Sequence, residues 1–428
     1  MSISDRTIAP KIYDAVDFEY QLPPINKQKL QNGIDLYWLN AGVQEVVQID
    51  WIFAAGIWHE QKEGIAQATA SLLKNGTSTR TAAQINDALE FYGAELRTTV
   101  TNDFATITLY SLRKHLPELL PVVYDLLTDS IFPENELEIY RKNAIQKLMM
   151  NLRKSEFVAN QQIDAMLYGK EHPYGRYSTI EALTTVTKED IEQFYKTRFV
   201  LTNVLIMMAG KAGDAEAQLI NQVFGALVSQ ANPVAIPAHS IHSSAEKTLR
   251  IMNDAESVQG AIRIARHFPN RTHPDFAPMI VLNTVFGGYF GSRLVSNIRE
   301  DKGYTYGIDS SPVPGLYGGS LVISAETGRD VVDLAIKEVY HEMEVLCNEP
   351  VGDEELLLVK NYLLGNILSD LDGPFSILRR WRTLILNGFD ESYFNKNISV
   401  YKSITPGELI ELARKYFVKD EFYEVVVI

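Results

Sequence analysis

One predicted helix offers a face on which three residues could form a metal-dependent active site, but it lacks the residue types that such a site needs. Residues 63–77 read EGIAQATASLLKNGT, and the apolar spacing with a closing Asn-Gly pair predicts a short amphipathic helix. Gln67, Ala70 and Ser71 share one face of that helix, because residues three and four apart are surface neighbours. Histidine, glutamate and histidine at these positions would bind Zn²⁺ and activate a water molecule. Glutamine, alanine and serine cannot supply that chemistry, so an ordinary surface or core helix is the alternative interpretation.

Other residues suited to metal or nucleophilic chemistry are few. The eight histidines form no H-x-x-E-H or H-E-x-x-H pattern. His239 and His242 form H-x-x-H in a Pro/Ser-rich stretch, where chance spacing explains the pair better than a metal site does. Cys347, the single cysteine, lies in a helical pattern, which favours a buried small hydrophobe over a reactive thiol. There is no G-x-S-x-G motif and no phosphate-binding loop.

Composition restricts the class of protein. The chain has 428 residues, of which 46% are hydrophobic and 22% charged, and this length favours two domains. The net charge of -14 and the absence of a Lys/Arg-rich run argue against nucleic acid as a partner. No apolar run approaches the length of a membrane span, and the N-terminus has no signal-peptide pattern. We therefore expect no membrane partner and a cytoplasmic location, with a periplasmic location still open if a leader has been removed.

An internal repeat organises the chain. VTKEDIEQFYKTRF matches ITPGELIELARKYF, so that Thr187 pairs with Thr405 and Phe199 with Phe417, both at an offset of 218 residues. A second match, between the stretches that begin at 119 and 334, has nearly the same offset. Duplication explains two such matches better than chance similarity of amphipathic helices. The repeat predicts an N-terminal domain, a linker rich in Pro, Ala and Ser, and a homologous C-terminal domain, at residues 1–227, 228–247 and 248–428.

The elements that would position these residues follow from periodicity. Each half begins with alternating, β-rich segments and ends with long helical patterns, such as the one over 134–167. The region 95–112 predicts a β-hairpin with Asn102-Asp103 at its turn. Runs of strands followed by runs of helices indicate an α+β fold, in which each domain is a mainly antiparallel sheet with helices packed on one face.

The chain resembles the pitrilysin/insulinase family of zinc peptidases, in its small subunit form with two homologous domains. The duplication and three segments carry the resemblance, which extends from about residue 25 to the end: EGIAQATASLLKNGT, EFYGAELRTTVTNDFATITLYSL and HPYGRYSTIEALTTVTKEDIEQFYKTRF. Mitochondrial processing peptidase and bacterial two-subunit peptidases belong to this family. The resemblance implies two α+β domains that face each other across a cleft.

The same resemblance places the zinc ligands on unsuitable residues. The family's first histidine falls on Gln67, its glutamate on Ala70 and its second histidine on Ser71. The third ligand, a glutamate on a downstream helix, falls on or beside Lys147, whose ammonium group would repel Zn²⁺. We therefore expect no cofactor in this chain, with zinc in a partner subunit.

A second segment keeps the family's signature. Residues 287–308 read GGYFGSRLVSNIREDKGYTYGI, which is similar to the second-domain motif that ends in an Arg and a Tyr seven residues apart. Here these are Arg299 and Tyr306, which the resemblance identifies as residues that reach a zinc-bound peptide. A tyrosine hydroxyl can donate to an oxyanion, and an arginine can hold peptide carbonyls. Without the resemblance, a surface loop would be the preferred interpretation.

Two further features are weaker. The resemblance implies that an extended peptide adds to a sheet edge, for which the segment 46–56, the strand before the unusual helix, is the candidate. The aromatic residues in and beside this segment are expected in a core or interface. A cluster of arginines in DLDGPFSILRRWRTLI is best explained as a solvated helix face. The aromatic residues are Trp51, Phe53 and Trp58, and the arginines are Arg379, Arg380 and Arg382.

These observations predict a non-catalytic subunit of a heteromeric zinc metallopeptidase, inactive alone. The expected partner is a homologous subunit that carries H-x-x-E-H, and the expected ligand is an unfolded or extended peptide. The alternative is a peptide-binding or scaffold protein of the same fold that takes no part in proteolysis. A homodimer of the chain alone remains open.

Overall fold

The chain forms two halves of matching topology. In the computed structural model, which describes residues 13–226 and 235–428, each half contains one sheet and a set of helices. The elements of the first half are β1 Asn26–Lys29, β2 Asp35–Asn40, β3 Val46–Phe53, α1 Ile65–Leu72, α2 Ala82–Phe91, β4 Glu95–Val100, β5 Ala105–Leu112, α3 Leu116–Asp129, α4 Glu134–Asn151, α5 Ser155–Tyr168, α6 Ile180–Thr185, α7 Lys188–Arg198, β6 Leu205–Gly210 and α8 Asp214–Phe224.

The second half repeats this order, with one wide helical turn in place of a second regular helix. Its elements are β7 Thr248–Ile251, β8 Gln259–His267, α9 Phe276–Phe286, the π-helix Val295–Asp301, β9 Thr305–Pro314, β10 Gly319–Gly328, α10 Val332–Asn348, α11 Asp353–Asp370, α12 Pro374–Leu386, α13 Glu391–Ser403, α14 Pro406–Tyr416 and β11 Tyr423–Val427.

The two sheets have equivalent strand orders. The first is β1-β2-β6-β3-β5-β4 and the second is β7-β11-β8-β10-β9, so the second sheet matches the first without β1. Within each sheet the pairs are antiparallel except β2 with β6 and β7 with β11. The predicted α+β fold with mainly antiparallel sheets is confirmed.

The residues that revealed the repeat occupy equivalent helix ends. Thr187 and Thr405 are the N-caps of α7 and α14, and each side chain accepts a hydrogen bond from the backbone N–H three residues later, at 3.2 and 3.3 Å. Phe199 and Phe417 are the C-caps of the same helices. The sequence match therefore reports a shared local structure as well as a shared apolar pattern.

The halves exchange helices. Strand β3 is buried along most of its length, because both of its faces are covered. Trp51 faces the first core, whereas Ile52 lies in a cluster with residues of α12, a helix of the second half that packs on β2 and β6. Helix α5 of the first half packs in the same way on β8 and β11. Each sheet thus receives on its second face one helix from the other half, which the sequence did not predict.

The junction between the halves falls partly outside the described residues. Of the predicted linker, 228–234 belongs to the part that is not described, whereas 235–247 runs without helix or strand. This segment lies along α5, where the His242 N–H donates to the Tyr168 carbonyl at 3.1 Å and the Ser244 N–H to the Met166 carbonyl at 2.8 Å. The domain boundaries themselves stay a prediction.

Helices of the described ranges are all too short or too polar to cross a bilayer.

Candidate functional site

Helix α1 carries three of the positions that the sequence predicted for a degenerate zinc site. It starts after Gly64, which has a φ of +85°, and the Glu60 carboxylate accepts from the Ala66 N–H at 2.8 Å. Gln67 is exposed and its side-chain amide donates to the Ser71 hydroxyl at 3.0 Å. The two polar side chains on this face of the helix therefore form a hydrogen bond with each other.

The remaining positions do not complete a metal site. The side chain of Ala70 is buried, with 1% exposure, and Lys147 is exposed on α4, the helix that packs on α1. Within the described ranges, no group of three His, Cys, Asp or Glu side chains has a geometry that could hold a metal ion. The residues present do not fit zinc, since an amide, a methyl group, a hydroxyl and an ammonium replace its ligands and base.

The minor candidates have structural roles. The His239 Nε2 atom lies 2.9 Å from the Trp58 carbonyl oxygen, so this ring holds the linker segment against the first half. Cys347 is half-buried and burial raises the pKa of its thiol, which disfavours the reactive thiolate.

The segment 287–308 is fixed to β9 and α11 by close contacts. A Cβ atom at Gly287 would lie 2.5 Å from the Ser310 hydroxyl on β9, so only glycine allows this approach. Arg293 makes two hydrogen bonds of 2.9 Å to the Glu355 carboxylate on α11, and Leu294 is fully buried. The S-R-L part of the motif therefore supports the fold.

Arg299 has a free guanidinium on this fixed segment. It lies on the π-helix, a form of backbone that often occurs at functional sites. Its guanidinium is 4.6 Å from the centre of the Phe290 ring, and that ring is 66% exposed. No carboxylate of a described residue forms an ion pair with Arg299. This cation is thus available to a group from outside the chain.

Tyr306 is directed outward by a β-bulge. On β10, Glu326 pairs with Gly307 and the next residue pairs with Thr305, so Tyr306 is the extra residue of the bulge. The Thr305 hydroxyl stabilises the bulge, because it accepts from the Gly307 N–H at 3.0 Å and lies 2.5 Å from the Glu326 carbonyl oxygen. As a result Tyr306 is 89% exposed, on the edge strand of the second sheet.

The proposed peptide-binding edge at 46–56 is wrong. Strand β3 pairs with β5 over its whole length and with β6 on its other side, so its backbone groups are already used. The outer strands are β1 and β4 in the first sheet and β7 and β9 in the second. Trp51 and Phe53 are fully buried in the first core and Trp58 lies at the junction between the halves, as predicted.

The arginine cluster on α12 is a solvated face only in part. The side chain of Arg379 is 62% exposed, and Arg380 pairs with Asp370 on the preceding helix. Arg382 instead donates to the Asp50 carboxylate on β3 at 3.2 Å, and Asp50 is buried, with 1% exposure. The prediction of a solvated face is therefore wrong for Arg382, because α12 packs on the sheet of the other half and brings this arginine against Asp50.

A buried carboxylate at the start of α1 was not singled out in the sequence. Glu60 is paired with the Arg176 guanidinium at 2.9 Å, and burial raises its pKa to about 7. It anchors the N-terminus of α1 through Ala66. The signal was an acidic residue just before the helix, where a carboxylate is favoured by the helix dipole.

Comparison with known proteins agrees with this architecture. Residues 40–175 match the family model described as insulinase (peptidase family M16), and residues 185–363 match the model described as peptidase M16 inactive domain. An uncharacterized zinc protease of Bacillus subtilis strain 168, YmxG, is 22% identical over 405 residues, which cover 92% of this chain and 96% of the relative. A similar protein of Rickettsia felis, also called an uncharacterized zinc protease, is 25% identical over 350 residues, 80% of this chain and 83% of its own.

Two solved structures share the fold. A peptidase M16 inactive domain from Pseudomonas fluorescens has a TM-score of 0.83 at 21% identity, over 94% of this chain and 98% of its own. A protease from Helicobacter pylori has a TM-score of 0.86 at 16% identity, over 95% and 100%. With both halves matched in order along most of the sequence, the chain belongs to the insulinase family of peptidases, family M16.

Proposed function

We propose that this chain is the non-catalytic subunit of a heteromeric zinc metallopeptidase. The observation that supports this function is a contrast between the two halves. On α1, Gln67 and Ser71 are bonded to each other and cannot bind zinc. In the second half, Arg299 and Tyr306 are held on a fixed segment with their polar groups unused.

The two residues suit the polar half of a peptide-cleaving site. The Tyr306 phenol would donate a hydrogen bond to the oxyanion that develops on the scissile carbonyl, where a positioned donor has its largest effect. The Arg299 guanidinium, stacked on Phe290, would hold peptide carbonyl groups and keep the extended chain in register. Zinc and its activated water would come from a homologous subunit with H-x-x-E-H. The names of the relatives, zinc proteases, are consistent with this reaction class.

The edge of the second sheet supports an extended peptide as ligand. Strand β9 pairs only with β10 among the described strands, and Tyr306 lies on it. An extended peptide could add to such an edge through backbone hydrogen bonds, which tolerate varied sequences. The same surface would also serve a protein that binds peptides without cleavage, so the alternative of a peptide-binding or scaffold protein is decided by experiment.

The test combines this chain with its candidate partner. A homologous chain with H-x-x-E-H from the same source is purified, and each chain and the mixture are assayed on unfolded peptides. We expect cleavage by the mixture alone, abolished by a zinc chelator. A mixture that binds peptides and never cuts them would support the scaffold alternative. Stoichiometric zinc and peptide cleavage by this chain alone would refute the proposal.

A further inference from the structure

A small polar cavity lies in the first half, away from Arg299 and Tyr306. It has a volume of about 240 Å³ and is bounded by the turn before α1, the first turn of that helix and one face of α7 along its length. Its polar lining includes three basic side chains and one acidic side chain, which are His59, Lys62, Arg198 and Asp190. The lining therefore has more potential cations than anions.

The acidic side chain of the lining, Asp190, already has two partners within the protein. Asp190 lies 2.6 Å from the Lys62 ammonium and also accepts from the Thr187 N–H at the start of α7. The Arg198 guanidinium, by contrast, lies 3.5 Å from the Ala235 carbonyl oxygen and has no ion pair with a carboxylate of the described residues. Burial lowers the pKa of this arginine, as expected for a cation without a counter-charge.

His59 has an unsatisfied polar group beside this arginine. Its side chain is 3% exposed, and its Nδ1 atom is buried without a hydrogen-bond partner among the described residues. Burial, followed by smaller effects of the nearby Arg198 and His239, lowers its pKa to about 4. Buried polar groups without partners are rare and costly. The lining of the cavity thus includes an arginine without a counter-charge and an imidazole nitrogen without a hydrogen-bond partner.

The second half has a carboxylate that contacts the corresponding end of its last helix. Gly64 is the N-cap of α1 and Asp275 is the N-cap of α9, its counterpart. In the second half the Asp275 carboxylate lies 2.6 Å from the Lys415 ammonium and 2.7 Å from the Tyr416 hydroxyl at the end of α14. Arg198 corresponds to Tyr416 at the offset of 218 residues. The second half thus has a carboxylate against the end of α14, whereas in the first half Arg198, the residue equivalent to Tyr416, has no ion pair with a carboxylate of the described residues.

We propose that this cavity binds a small oxyanion, a phosphate or a carboxylate, between Arg198 and His59. Its oxygens would accept hydrogen bonds from the guanidinium and the imidazole. Such charge-assisted bonds to a planar guanidinium suit both ligand types. The volume fits a single small anion rather than a nucleotide.

The test uses the full chain without a partner. Phosphate and acetate are titrated separately by calorimetry at constant ionic strength, with chloride as the background anion. We expect saturable binding of at least one, and Arg198→Gln should weaken it by about ten- to a hundredfold, because hydrogen bonds to charged groups are strong. Arg198→Lys should keep part of the affinity, since it keeps the charge.

The matched control is Arg379→Gln, which removes an exposed positive charge on α12 and should bind the anion as the unchanged protein does. The anion that binds more tightly identifies phosphate or carboxylate as the ligand class. Absence of saturable binding of both anions would overturn the proposal, as would equal affinities of the Arg198→Gln and Arg379→Gln variants.

Discussion

Tyr306 shows how local backbone geometry determines what a single side chain can do. The spacing of Arg299 and Tyr306 was visible in the sequence, and so were the residue types at the positions predicted for zinc ligands on α1. The exposure of Tyr306 was not, because the β-bulge depends on pairing with β10, which is distant in sequence. Identity and spacing could thus be predicted from the sequence, whereas the direction of the side chain needed the register of the sheet.

Removal of the Tyr306 hydroxyl tests its role directly. We expect Tyr306→Phe to lower the turnover of the reconstituted mixture by about a hundredfold, the usual loss for one oxyanion donor. Stability should hardly change, since the side chain is 89% exposed. Turnover numbers of the mixture and the unfolding midpoint of the chain are the measurements.

Two other substitutions serve as controls for that result. Tyr304→Phe removes a hydroxyl from the same segment, and Gln67→Ala removes the amide that bonds Ser71; both should leave turnover unchanged. An equal loss with Tyr304→Phe would point to the segment as a whole, and full activity of Tyr306→Phe would contradict the role of the hydroxyl.

At the scale of elements, the sequence predicted the helices and the hairpin at 95–112 better than it predicted which elements touch. The helical pattern over 134–167 is in fact two helices, α4 and α5, with a break between Asn151 and Ser155. The second of these helices packs on the sheet of the other half. The error about β3 had a visible signal: VVQIDWIF is almost continuously apolar, which is typical of a strand buried on both faces. Contacts between halves depend on tertiary packing, which periodicity does not encode.

The two equivalent helix caps provide a test of the repeat. Thr187→Ala and Thr405→Ala should each lower the free energy of unfolding by about 1 kcal/mol, because each removes a side-chain acceptor for an N-terminal N–H group. Since the caps lie in different halves, the losses should add in the double variant. Urea unfolding measures the free energy of unfolding of the two single variants and the double variant. If only one of the single substitutions destabilised the protein, the two caps would not be equivalent in their contribution to stability.

At the scale of the whole molecule, the exchanged helices join the halves through buried polar contacts. Asp50 accepts from Gln48 and Thr108 on the first sheet and from Arg382 on α12. The junction also contains a stack of Trp58 on Tyr317, with ring centres 4.0 Å apart. These contacts predict that the halves unfold together.

Loss of the inter-half ion pair should destabilise the entire chain. Arg382→Ala leaves the buried Asp50 without its cation, and we expect a loss of about 2–3 kcal/mol, below the full cost for a buried pair because Arg382 keeps some solvent contact. Arg379→Ala should stay within about 0.5 kcal/mol. Tryptophan fluorescence and circular dichroism should report one coincident urea transition in each variant; separate transitions would mean that the halves are independent.

Acid should weaken the same junction through His172. The ring is 4% exposed and lies against Tyr168 and Trp58, and burial lowers its pKa to about 4. In the unfolded chain the pKa of this histidine is about 6.5, so on acidification the unfolded chain binds the proton before the folded chain does. The contribution of the neutral ring to the free energy of unfolding is therefore complete above about pH 6.5 and decreases as the pH falls toward 4.

A variant isolates this contribution from other titrating groups. The advantage of the unchanged protein over His172→Gln should shrink between pH 7 and pH 5, measured as the difference between urea midpoints. Glu60, whose raised pKa acts in the opposite direction, is common to both proteins and cancels. A constant difference across this range would contradict the prediction.

The exchange of α5 and α12 also bears on ancestry. A polypeptide that consisted of a single half would leave one apolar face of its sheet exposed. Its exchanged helix, the equivalent of α5 or α12, would have no sheet to pack on. Two copies of that polypeptide would solve both problems by the same exchange, as a swapped homodimer. Fusion of the two protomers of such a dimer would give the present arrangement of helices and would leave each half free to change separately.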